Sequence, residues 1–362
     1  MLTLNLYAPI AQTGYGVVAT NIAKTLHANG HDVRLQPIRG LQTEHGDENL
    51  FKLLAKKCFV QEAPCLKIWH QFDLGLRVGK GPYWAMPIFE LDMFTEIERY
   101  HLSFPDALCV CSQWAKQVIE ENHIETPTYV VPLGVNTNVF KPPANLLDQT
   151  IKKTPPYTFL NVGKWEKRKG HDILVEAFNK AFTDKDNVRL IMMPTNIFLT
   201  EEKRLQWHKL YVDSPLGYKI HILPYMRTHK DVYEIMLMAD CGVFPSRAEG
   251  WNLELLEMMS IGKPVITTNY SAHTEYCTPQ NSYLLDIKET EPAHDNQWFF
   301  GQGNWAKLTS ATIDSLVDYM RFCYKNRPQN PAGIQTGQKY TWQNTVNILS
   351  QCIQDDLIRR YP

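Results

Sequence analysis

Short apolar runs and longer amphipathic stretches take turns along the chain. Leu2–Tyr7 is a strand-length apolar run, and a loop, Ala8 to Tyr15, follows it. Ala19, Ile22, Ala23 and Leu26 then recur at i, i+3, i+4 and i+7, the stripe of a helix with one buried face. Gly30 suits the C-terminal end of that helix, and Asp32–Leu35 restarts a strand. One strand–helix–strand unit implies a parallel pair joined by a right-handed crossover. Apolar runs at Cys65–Trp69 and Ala107–Cys111 end at His70 and Ser112, and helix Gln113–Glu121 and strand Thr128–Val131 continue the rhythm.

Residues 142–156, with Pro142, Pro143, Pro155 and Pro156, interrupt the rhythm and read as a linker. A second series begins with strand Tyr157–Val162 and a turn at Gly163. It runs through helix His171–Phe182, strands Val188–Met193 and Lys219–Leu223, helix Lys230–Ala239, strand Cys241–Phe244, helix Leu253–Ile261 and strand Pro264–Thr267. Glu289–Trp305, mixed in acids, glycine and aromatics, reads as a long irregular loop. The expectation is an α/β protein of two doubly wound, Rossmann-like domains facing across a cleft, with ligands beyond the carboxyl ends of the strands.

Composition narrows the function classes. Lys plus Arg number 37 against 38 Asp plus Glu, so overall charge does not point to nucleic acid as a partner. The first residues read as a strand rather than a leader, and no stretch approaches the roughly 18 apolar residues of a membrane span. Eight cysteines are scattered without zinc or redox spacing, which fits reduced thiols and a cytoplasmic location. No metal site is expected, and no cofactor.

Three segments carry candidate chemistry. In Pro245–Glu257 a strand delivers a glycine-containing loop to a helix that starts near Asn252, an N-cap residue, so free amides and a dipole end could receive a diphosphate. Glu249 stands before that helix, where it could accept from sugar hydroxyls, and Glu257 sits within it among Leu255, Leu256, Met258 and Met259. A carboxylate in such company needs a partner, for which two adjacent ribose hydroxyls would serve. On the spacing alone, a solvated Glu249 and a Lys or Arg partner for Glu257 are the plainer reading. Lys164, Lys167, Arg168 and Lys169 crowd the loop after the first strand of the second series, placed either to neutralise a diphosphate or to face solvent.

Gly14-Tyr15-Gly16-Val17-Val18-Ala19 formally fits a dinucleotide fingerprint. Its glycines lie about eight residues beyond the strand, and no acid follows the second strand to hold a ribose, which argues against a nicotinamide enzyme. His70 ends a strand, where structural and functional roles are both open.

On these residues the sequence resembles glycosyltransferase family 4, the retaining enzymes of GT-B fold. Pro245–Glu257 resembles the E-x7-E motif, which continues as Leu256–Thr267, and Gly163–Gly170 resembles the phosphate-binding loop with Lys164 where arginine is common. Pro132–Asn136 resembles the segment that closes the first domain, and Tyr340-Thr341-Trp342 the start of a last helix that returns to it. The resemblance implies an acceptor-side domain, 1–141 with 340–362, and a nucleotide-sugar-side domain, 157–339.

It also implies roles. Glu249 would hold donor-sugar hydroxyls with Gly250, Trp251, Asn252 and Leu253, and Glu257 would grip the ribose. Lys164 and Lys169, beside Gly163, would bind the diphosphate and steady the leaving group, with His70 near the reacting centre. Tyr225 and Met226 would face the base, and Gly14, Tyr15 and Gly16 would approach phosphate or acceptor. Glu90 and Asp92 are weaker acceptor candidates. Two departures stand out: Lys164 gives up a bidentate fork, and Ser271-Ala272-His273-Thr274-Glu275 replaces a common glycine pair.

The implied activity is metal-free, front-face transfer of a hexose-type sugar from a UDP- or GDP-sugar to a glycan, lipid-linked or small-molecule hydroxyl. Peripheral membrane contact is left open. The alternative is a catalytically silent protein of the same fold that binds nucleotide sugar or glycan.

Overall fold

The computed structural model describes residues 1–143, 156–226 and 228–360. Packing divides the chain into two compact units, Met1–Asn136 with Tyr340–Pro362, and Thr137–Lys339. The boundary lies at Asn136 rather than 141 because Phe140 belongs to the second unit: its carbonyl accepts from Ser260 Oγ at 2.7 Å and its ring meets Tyr233. Most of the expected linker, 144–155, lies outside the described residues.

The first unit runs β1 (Thr3–Ala8), α1 (Gly14–Ala28), β2 (Asp32–Pro37), α2 (Glu48–Lys56), β3 (Cys65–Ile68), β4 (Tyr83–Met86), α3 (Glu96–Leu102), β5 (Ala107–Val110), α4 (Gln113–Glu121) and β6 (Thr128–Val130). Its six strands are parallel in the order β2-β1-β3-β4-β5-β6, so the winding reverses between β1 and β3. Cys65, Tyr83, Leu108, Val118 and Ile119 share a buried core on one side of this sheet. Strand β4 escapes a sequence reading because Tyr83–Met86 is short and bracketed by Pro82 and Pro87. Gly14 to Gly16, expected in a loop, instead form the first turn of α1. A side chain at 16 would overlap the Ala11 carbonyl, so that glycine serves backbone packing, whereas Gly14 faces open space.

The second unit runs β7 (Tyr157–Val162), α5 (His171–Ala181), β8 (Val188–Met193), α6 (Glu201–Val212), β9 (Ile220–Ile222), α7 (His229–Met238), β10 (Cys241–Phe244), α8 (Leu253–Ser260), β11 (Val265–Thr268), β12 (Tyr283–Leu285), β13 (Thr290–His294), β14 (Phe300–Ala306), α9 (Ser310–Asn326) and α10 (Pro331–Lys339). The main sheet is again parallel, in the order β9-β8-β7-β10-β11-β12, and reverses between β7 and β10. Phe159, Leu174, Phe178, Leu190, Val243 and Leu316 lie in its core.

Helix α6 is polar on nearly every side and buries only Tyr211, so no stripe announces it. The expected irregular loop at 289–305 is in fact the hairpin β13–β14. Pro292, a register shift between Pro292 and His294, and left-handed Gly301 and Gly303 destroy the alternation that marks a strand.

The last helix, α11 (Trp342–Arg360), joins the first unit at Pro132–Asn136. Val135 N–H donates to the Tyr340 carbonyl at 2.9 Å, and Thr345 Oγ1 donates to that of Pro132 at 2.8 Å. Gly134 lies flat against the backbone of Thr341 and Trp342, where any side chain would collide. Gly134→Ala is therefore expected to lower stability by about 1–3 kcal/mol, the usual range for overpacking. Gly14→Ala, in open space on a helix, should leave stability equal or slightly higher. Urea unfolding of the two variants checks the contrast.

Candidate active site

Carboxyl ends of strands at a winding reversal leave a crevice, because the two flanking connections depart to opposite sides. In the second unit those connections follow β7 and β10, and they carry the lysine cluster and Glu249. Lys167–Lys169 form a single 3-10 turn that ends at Gly170, which is left-handed at φ 72°. Gly170 presses on the Pro245 carbonyl, so no side chain fits there. The turn is stitched to the second loop by Arg247 N–H, which donates to the Arg168 carbonyl at 2.6 Å, and by the Arg247 guanidinium, which reaches the Lys167 carbonyl and Asp172.

Within this frame Glu249 is 4% exposed and surrounded by donors. Lys169 Nζ lies 2.7 Å from Oε1 and Arg168 Nη1 2.8 Å from Oε2, while Ser246 Oγ donates to Oε1 at 2.7 Å. Arg168 also pairs with buried Glu166 at 2.9 Å, and Lys164 reaches the same carboxylate at 3.4 Å. Burial alone would raise the Glu249 pKa, but Lys169 and Arg168 more than reverse it and hold the group well below the usual carboxylate range. Glu166 is lowered in the same way: burial raises it, and Arg168, Lys164 and Lys169 together outweigh burial. Sequence reasoning singles out Lys164 and Lys169; the cation that organises the cluster is Arg168, whose burial no spacing reveals. Lys169 lays its stem across Gly163, and Lys164 stays exposed.

Asn252 caps α8 in a left-handed conformation, φ 76°, its Oδ1 accepting from Leu255 N–H at 3.3 Å. The 271–275 segment, noted above as a departure, explains how that geometry is held. Ser271 is itself left-handed at φ 52°, and its hydroxyl accepts from the Glu249 amide at 2.8 Å. His273 Nε2 accepts from Asn252 Nδ2 at 3.0 Å, which leaves the proton on Nδ1 facing the Thr268 carbonyl. Burial pushes its pKa down to about 4, so this imidazole is neutral. Tyr276 donates to the Trp251 carbonyl at 2.7 Å. One turn thus fixes Glu249, Trp251 and Asn252, and Gly250 and Leu253 with them.

Glu257 is 7% exposed, and its carboxyl group has no hydrogen bond or ion pair among the described residues. Burial, with nearby Glu254 adding to it, pushes its pKa well above the carboxylate range. The Lys or Arg partner that the sequence left open is absent there. Tyr225 and Met226 lie between β9 and α7, with Tyr225 exposed.

The first unit builds its own cluster at its own reversal, after β1 and β3. Tyr15 O–H donates to the Ile88 carbonyl at 2.7 Å and accepts from its N–H at 2.9 Å, which pins α1 to the end of β4. The Tyr15 ring meets His70 at 4.5 Å, and His70 stacks on Phe72 at 5.0 Å. Burial raises the Tyr15 pKa, and Glu90 is close enough to add to that. Asp92 is fixed through its carbonyl by Asn122. Among the described residues, no three His, Cys, Asp or Glu side chains group as a metal site, and no helix is long and apolar enough to cross a membrane.

Arg168→Met should take from two buried carboxylates their shared cation, leaving Lys169 to Glu249 and Lys164 to Glu166. It should cost up to about 3–5 kcal/mol at neutral pH, the range for broken buried pairs. The wild-type Glu249 pKa is depressed, so its contribution is present above the unfolded carboxylate pKa and is lost as pH falls through the folded one. The deficit of the variant should therefore shrink toward acid, which denaturant unfolding across pH would show.

Residues 144–316 match the family described as glycosyl transferases group 1. A putative glycosyltransferase of Sulfolobus islandicus filamentous virus is 22% identical over 174 residues, 47% of this chain and 43% of that protein. An uncharacterised glycosyltransferase of Methanocaldococcus jannaschii is 22% identical over 179 residues, 47% of this chain and 41% of its own length. Each match thus takes in less than half of the relative. Among solved structures, sucrose-phosphate synthase from Thermosynechococcus elongatus superposes with a TM-score of 0.73 at 15% identity, covering 99% of this chain and 100% of that one. HepE of Anabaena in complex with UDP-glucose gives 0.72 at 12% identity, covering 98% and 100%. The chain thus has the GT-B fold, and its second unit carries the match to the group 1 glycosyl transferases.

Proposed function

We propose that this protein is a retaining glycosyltransferase of the family 4 type, moving a hexose-type sugar from a nucleoside-diphosphate donor to a hydroxyl of a glycan, lipid-linked or small-molecule acceptor. The observation that carries this reading is one buried cluster at the winding reversal of the second unit. There Glu249 is held ionised by Arg168 and Lys169 beside the capped start of α8. Sugar hydroxyls, phosphates and a leaving group each find a complementary partner within it. The HepE complex with UDP-glucose, on the same fold, supports the donor class.

In this reading the second unit is the donor side. A diphosphate draws Lys169 and Lys164 toward its oxygens, and Glu249 keeps Arg168 and Ser246 as it accepts from sugar hydroxyls. The bond from the anomeric carbon to the phosphate oxygen breaks as the acceptor oxygen forms its bond on the same face. The acceptor proton passes to the departing phosphate. The protein contributes position and preorganised charge, with no covalent intermediate and with lysines in the place of a metal. Tyr225 and Met226 face the base, and the cluster of Tyr15, His70 and Glu90 serves the acceptor side. All eight cysteines are free, which supports a reducing, cytoplasmic setting.

Glu257 supplies the test. Its raised pKa keeps the free protein protonated there over a window that begins at the unfolded carboxylate pKa, about 4.3. Over that window, rising pH costs the free protein stability. A ribose diol donates two hydrogen bonds and favours the ionised form, so binding releases the proton and tightens as pH rises. A nucleoside diphosphate at about a hundred times its Kd should stabilise the protein by roughly 2.7 kcal/mol in a thermal-shift screen of UDP, GDP and ADP. Calorimetry in buffers of different ionisation enthalpy should register proton release, absent in Glu257→Gln, which should also melt higher when free. Transfer that stops on adding a chelator would overturn the metal-free part.

A further inference from the structure

Two exposed aromatic rings stand beside the lysine loop, each held by polar groups that are themselves ordered. Phe198 follows β8 and is 55% exposed, and Trp298 sits at the tip of the hairpin β13–β14 and is 42% exposed. Their centroids are 6.1 Å apart with planes at 81°, and Lys164 Nζ lies 5.8 Å from the Phe198 ring centre.

Neither ring is placed by accident of a loose loop. Asn196 is 2% exposed and bridges the two segments: its Nδ2 donates to the Trp165 carbonyl at 3.1 Å, and its Oδ1 accepts from Phe198 N–H at 3.0 Å. Phe198 is thereby referenced to the residue next to Lys164. On the hairpin, Asp295 Oδ1 accepts from the amides of Gln297, Trp298 and Phe299 at 2.8, 2.8 and 2.9 Å. Lys167 Nζ donates to the His294 carbonyl at 3.2 Å, and Ala306 N–H to the Arg247 carbonyl at 2.9 Å, which ties the hairpin to both loops of the charged cluster. Lys203 Nζ donates to Gln297 Oε1 at 3.2 Å beside Trp298.

Exposed apolar residues are common singly, but here two ring faces held by polar contacts stand together beside ammonium and amide groups. Two rings are far too small for a protein interface of about 800 Å² per partner. A pyranose ring fits the chemistry, since its C–H face lies against an aromatic face and its hydroxyls meet ammonium and amide groups at the edge, here Lys164, Lys203 and Gln297. We propose that Phe198 and Trp298 form a stacking subsite for a carbohydrate ring. This subsite does not rest on the transfer reading above.

Saturation-transfer NMR with methyl glucoside, mannoside, galactoside and N-acetylglucosaminide, without nucleotide, tests it. At least one glycoside should take up saturation from the wild-type protein. Trp298→Ala and Phe198→Ala should weaken that binding about fivefold, the loss of one stacking contact, and Trp298→Phe should retain most of it. The thermal shift given by UDP, GDP or ADP should be unchanged in all three. Absence of saturation from every glycoside, or binding indifferent to both alanine variants, overturns the proposal. So does a nucleotide shift lost in Trp298→Ala, which would make the ring a base platform. No nucleotide shift in the wild type would instead refute the transferase reading and leave the sugar result standing.

Discussion

Everything described in the second unit depends on the pairing of Arg168 with Glu249 out of reach of solvent. Taking two charges from water costs several kcal/mol each, and their attraction offsets that cost only if the geometry is good and the remaining lone pairs are met. The chain meets both conditions with backbone: Arg168 also donates to the Ala248 carbonyl at 2.8 Å, and Ser246 and Ser271 serve Glu249 from either side. Gly170, the left-handed Asn252 and the left-handed Ser271 follow from this demand, since each lets two loops approach within hydrogen-bond range. A carboxylate so held keeps its charge and its direction, as the proposed hold on sugar hydroxyls would require.

Glu257 is the counterpart. It is buried at a comparable depth on α8 yet receives no cation among the described residues, and its proton stays on. Two glutamates eight residues apart therefore differ in charge state because Arg168 and Lys169 meet one, while burial and Glu254 act on the other. Spacing along the chain says nothing about that difference.

Much of the architecture was nevertheless legible. Residues such as Ala19, Ile22, Ala23 and Leu26, or Val188, Leu190 and Met192, are apolar at the period of their element and are buried. The failures have local causes. Strand β4 hides between prolines, α6 has no apolar stripe, and the hairpin β13–β14 contains a proline, a bulge and two left-handed glycines. In the candidate site, Glu249, Glu257 and the lysines could be located by motif. The burial of Arg168 could not, because it arises from the meeting of two loops some eighty residues apart. The non-glycine Ser271 and the His273 two places on were the one visible sign that this loop is held by side chains. Gly16 has a packing reason of its own that the sequence does not show, the close approach of the Ala11 carbonyl.

The central claim is that this charge arrangement breaks and remakes a glycosidic bond on one face. The most direct measurement is proton NMR of the anomeric signal formed as the protein consumes UDP-glucose, GDP-mannose or ADP-glucose with a mixture of simple glycosides. The account predicts that one donor is consumed and that its new linkage, read at the first turnover, keeps the donor's anomeric configuration. An inverted product, or no consumption of any donor by a protein that binds the nucleotide, would contradict it.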